Sequence, residues 1–132
     1  MHHQPFEGRT SGDEADLLHV ARAHVAETHR FILSRGRELI GLCGRVGGEK
    51  AEREAAADTS ELLWVEGAAE SLLVATMASR LAAMTELDEP DRRLRDDLLD
   101  GLHRLARSAE AVRQLRRTGS EPLHGARWRA RP

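Results

Sequence analysis

The chain has 132 residues with a formal net charge of −2, 40% hydrophobic and 32% charged side chains, and 3% aromatics without a tyrosine. That length supports one modest core, and the composition excludes wholesale disorder. The near-neutral charge excludes a global basic field that would recruit nucleic acid or anionic lipid. Cys43 is the one cysteine, which rules out an internal disulfide and fits a reducing cytoplasm. The opening "MHHQPFEGRTSGDEAD" has no apolar signal core, and no window approaches the ~18 uninterrupted apolar residues of a membrane span.

Ala, Leu, Arg and Glu dominate and β-branched residues are scattered, so the expected fold class is all-α. Residues 1–11 read as a flexible lead, with Ser11 or Asp13 placed to cap a first helix. Apolar positions then recur at Leu18, Ala21, Val25, Thr28 and Ile32, and again at Leu39, Leu42 and Val46. Steps of three and four predict one helix of about 35 residues, ~52 Å long. Gly36, Gly41, Gly44, Gly47 and Gly48 oppose this. Each costs ~1 kcal/mol inside a helix, so either the helix breaks near Gly36 or a second backbone approaches closely.

A second helix is expected between Glu49 and Leu87. Its start, "EKAEREAAA", is polar enough to fray; "DTSE" then offers a restart with Asp58 as cap and Glu61 at the third position. From Leu62 to Met84 apolar residues fall on more than one face, so this segment needs neighbours all round. "ELDEPD" is a turn. The third helix runs from Pro90 to Arg117 and buries Leu94, Leu98, Leu102, Leu105, Ala109 and Val112. Gly119 ends it, Pro122 opposes resumption, and residues 119–132 form a basic, flexible tail containing Arg127, Trp128 and Arg129. Residues 12–118 are thus expected as a single antiparallel bundle of three long helices. Three helices cannot cover the second one, so a homodimer is expected with Leu62, Val65, Leu72, Leu73, Leu98, Leu102 and Leu105 at the boundary.

Charge is uneven: residues 49–61 hold five acids against Lys50 and Arg53. Among chemistry-bearing residues, His19, His24 and His29 are five apart, and five residues rotate a helix by about 140°, so no two share a face. A metal-binding bundle would have to draw on His24 with Glu27 and on Glu66 with Glu70. Arg22 and His29 have the Arg-x6-His spacing of HEPN ribonucleases, and that resemblance would make the arginine a phosphate holder and the histidine a proton carrier. Cys43, among Leu42, Gly44 and Val46, reads as a buried structural thiol. Phosphate-cradling glycine loops, Gly-x-Ser-x-Gly and Cys-x-x-Cys are all missing, and no cofactor is expected.

The stretch "LLDGLHRLARSAEAVRQLRRTGSEPLHGARWRARP" resembles the dimerisation and histidine-phosphotransfer hairpin of actinobacterial sensor kinases, with a looser likeness back to residue 66. The likeness rests on Asp100, Leu102, Arg104 to Arg107, Ala109, Glu110, Gly119 to Pro122 and Arg127 to Arg129. Gly101 stands where that family carries its phospho-accepting histidine. The resemblance implies a non-catalytic dimerisation or interaction module in bacterial signalling, cytoplasmic, with a response regulator as the type of protein partner. The alternative is a phosphotransfer protein in which His103 accepts the phosphoryl group and Arg104 and Arg107 contact it.

Overall fold

A computed structural model of the protein describes the backbone of residues 4–130 and the side chains of residues 14–118. It is all-helical, with α1 (Gln4–Gly47), α2 (Glu49–Leu62), α3 (Ala68–Ala82) and α4 (Glu89–Ala130) packed together, and no strand occurs among the described residues. No helix is long and apolar enough to cross a membrane among these residues.

The register between helices follows from side-chain pairs. Arg45 meets Asp91 and His24 meets Ser108, so α1 and α4 run antiparallel along their length. Arg95 donates to the Met84 carbonyl and Arg113 to the Ser71 hydroxyl, which sets α3 antiparallel to α4. α2 folds back on α1 through a turn at Gly48, whose φ of 89° is the left-handed region that suits glycine. The chain therefore goes up, down, up and down, with the short α2 and α3 sharing the flank of the long α1–α4 pair.

This arrangement corrects several expectations. The bundle has four helices instead of three, because the segment 49–87 breaks at residues 63–67 and α3 restarts at Gly67, φ 73°. Asp58 caps nothing. It lies inside α2, in an ion pair with Arg80 of α3 at 3.2 Å. "EKAEREAAA" does not fray, since Ala55 and Thr59 are buried against neighbours that reward its ordering. α1 is unbroken at Gly36, and close approach occurs at Gly44 and Gly47, where a Cβ would press on Glu52 and Ala51 of α2. α1 also begins at Gln4, ahead of Ser11 and Asp13, which the helix interior tolerates at small cost. α4 passes Gly119 and Pro122 and ends at Ala130; an internal proline deletes one backbone bond and bends a helix without forbidding its continuation. The side chains of the expected basic tail lie outside the described residues.

The core is built from the expected stripes. Ile32, Leu39, Leu42, Leu62, Val74, Met77, Leu81, Leu98, Leu102 and Leu105 are buried together with Cys43. Burial pushes the Cys43 thiol up from its ordinary value, the mark of a structural cysteine. The turn into α4 is set by Asp88, whose carboxylate accepts the Asp91 N–H at 3.0 Å.

At Gly101 α4 lies close against α1, and a Cβ there would overlap the Phe31 ring. Gly101→Ala is accordingly expected to destabilise by about 1–3 kcal/mol through overpacking. This outweighs the ~1 kcal/mol of helix propensity it gains. A urea midpoint equal to or above wild type would show that the two helices are not in contact here.

Candidate functional site

The core-facing positions here are 21, 24, 28 and 32, so His24 takes the place that the sequence pattern assigned to Val25, which is exposed. His24 is 7% exposed. Opposite it, α3 carries only two ionisable residues, Glu70 and Arg80, and Glu70 is 4% exposed. A carboxylate that deep requires a partner. His24 supplies it: Nε2 lies 2.5 Å from Glu70 Oε1. The other ring nitrogen, Nδ1, lies 2.5 Å from Ser108 Oγ on α4. One imidazole thereby joins three helices, with every polar atom of its ring engaged.

With Glu70 as the carboxylate, Nε2 must carry the ring proton and donate it, because Glu70 has only acceptors. Nδ1 is then an unprotonated acceptor, and the Ser108 hydroxyl donates to it. The two ends of the network differ in access. Glu70 and one side of His24 border a cleft of about 40 Å³ that Glu66, Arg113 and Arg116 also line. Ser108 is half-buried and, with the other side of His24, faces an open groove between α1 and α4 of about 430 Å³. Arg113 is steadied by Glu110, and hydrogen bonding from Arg113 holds the Glu110 carboxyl below its ordinary value.

The metal candidates are only partly brought together. His24 and Glu70 meet in a direct hydrogen bond, Glu66 is exposed at the cleft, and Glu27 lies in the groove on the Ser108 side. No group of three His, Cys, Asp or Glu able to hold a metal occurs among the described residues. Arg22 is exposed and His29 half-buried, on the side of α1 turned away from His24. His103 is exposed and borders a groove between α3 and α4, whereas Arg104 faces the α1 side of α4, so the histidine and that arginine serve different grooves. Arg107 is exposed. Position 101, where the resemblance to the kinase hairpin would put an acceptor, is buried against Phe31.

The boundary residues need correction. Leu62, Leu98, Leu102 and Leu105 are buried in the chain's own core, and Val65 and Leu73 are half-buried. Four helices close around these leucines where three could not. Leu72 alone of that set remains exposed, at 68%. Around it, Ala68, Ala69, Ala75, Thr76, Ser79, Ala82 and Ala83 are all exposed, so the outer face of α3 holds no charge in a chain that is 32% charged. Trp64, 82% exposed, stands just before this face.

Spacing along α1 could not reveal the His24 network, whose partners are 46 and 84 residues away. The available signals were a histidine inside an apolar stripe and a solitary acid in an apolar segment. Comparison with protein-family models, with curated proteins and with solved structures finds no match.

Proposed function

We propose that the protein is a helical dimerisation module, pairing through the outer face of α3 with a second copy of itself. The observation that carries this is the uncharged stripe around Leu72. Apolar patches of this kind on an otherwise charged surface mark contact sites. Small residues flanking one large one allow a second helix to approach closely, with Leu72 packed between the alanines of the partner. A two-fold axis sets a patch against itself, and a patch without charges opposes no like charges in doing so. The resemblance of residues 66–132 to a kinase dimerisation hairpin agrees with this reading and suggests bacterial signalling or regulation as its setting.

Leu72→Arg is the test. Burying two guanidinium groups across the two-fold costs several kcal/mol, so dimer affinity should fall roughly a hundredfold or more. The fold should be untouched, because Leu72 contributes nothing to the core. Sedimentation equilibrium on wild type and variant, with circular dichroism as the fold control, reads both. A wild-type chain that stays monomeric at high micromolar concentration, or a variant that dimerises equally well, overturns the proposal.

A further inference from the structure

The hydroxyl of Ser108, like that of Ser71, is bonded across a helix interface and not along its own helix. Thr28, Ser34, Thr76 and Thr118 each donate back to the carbonyl four residues earlier. That is the ordinary resting place of a hydroxyl in a helix. Ser108 is bonded instead to His24 Nδ1 across the helix interface. The carboxylate behind the ring sets the tautomer that leaves Nδ1 free to take the serine proton. Nucleophile, base and orienting acid are thus in series. The acid is buried at 4% exposure, while the serine lies at the edge of an open groove.

We infer that Ser108 is a base-activated nucleophile that takes the acyl group of small activated esters, with His24 as its base and Glu70 as the positioning residue. As Oγ bonds to the carbonyl carbon, its proton moves to His24 Nδ1, and Glu70 stabilises the imidazolium that forms. The bond from that carbon to the leaving oxygen then breaks. The leaving group departs with the electron pair, and the proton follows it from His24. Water, deprotonated by His24, attacks the acyl-serine, releases the carboxylic acid and restores the hydroxyl. Backbone N–H groups around Ser108 are committed along α4, so they offer the carbonyl oxygen no support. Side-chain donors of the same groove, Arg30 and His19, take that place. Acylation should therefore outpace deacylation, and the serine should be easier to trap than to turn over.

The experiment is covalent capture of the intact chain by a fluorophosphonate, in which the Oγ–P bond forms and fluoride leaves, followed by intact-mass and peptide-mass analysis. One adduct per chain, on Ser108, is expected, and Ser108→Ala should carry none while keeping its helical circular dichroism. Glu70→Gln should slow capture roughly tenfold or more while Glu70→Asp restores part of the rate, a pattern that simple loosening of the bundle would not produce. Should the Glu70 variants fail to fold, the wild-type rate alone decides. No adduct on wild type, or an adduct elsewhere that survives in Ser108→Ala, overturns the inference.

Discussion

His24→Ala is expected to lower the folding stability by about 3–5 kcal/mol, among the largest losses any single side chain can produce here. The reason is what it leaves behind. Glu70, 4% exposed, would keep its carboxylate in the interior without its partner at 2.5 Å. The Ser108 hydroxyl would lose its acceptor as well, adding to the cost. Urea unfolding followed by circular dichroism measures the effect as a shift in midpoint at unchanged slope. The size of the loss should not be mistaken for the worth of the pair. Bringing a carboxylate and an imidazole out of water costs much of what their attraction returns. His24→Leu combined with Glu70→Leu should therefore recover most of the stability lost in His24→Ala, and equality with wild type would not be surprising. If His24→Ala costs less than about 1 kcal/mol, the pair is open to solvent and the network is not as described.

Adjacent residues of α4 supply the second large effect and its own control. Leu102→Ala should destabilise by about 2–5 kcal/mol, because the side chain is fully enclosed between helices and its removal leaves a cavity. His103→Ala should stay within about 0.5 kcal/mol, since that side chain is exposed. One residue is a rotation of about 100° on a helix, and that rotation separates core from surface. Reversal of the two effects would mean that α4 is packed in another register, and the site would have to be redrawn. His103 is exposed, whereas Gly101, where the resemblance would put an acceptor, is pressed against Phe31.

Much of this architecture could be read from the residues. The α4 stripe from Leu98 through Leu102, Leu105 and Ala109 to Val112 is buried as its spacing demands, with Leu94 half-buried at its end. The α1 stripe is buried in its middle, at Thr28, Ile32, Leu39 and Leu42, and exposed at Leu18, Val25 and Val46. Periodicity identifies a face; how far along that face neighbours extend depends on the lengths of other elements. The break at residues 63–67 was less legible. "DTSE" advertises a restart that α2 ignores, because Asp58 finds Arg80 across the bundle, and a tertiary ion pair with buried neighbours outweighs a local cap worth about 1 kcal/mol.

By itself the sequence determined helix as the only regular element, the stripes that leave water, the turn before α4 and the buried thiol. These follow from forces acting within a few residues, where propensity and amphipathic spacing speak directly. Tertiary structure alone decided that four helices, not three, close one core within a single chain, and so which leucines are spent inside and that Leu72 is not. It also decided that His24, Glu70 and Ser108 meet. Their encounter depends on the relative register of three helices, and register is set by the packing of all their side chains at once, which no local pattern encodes.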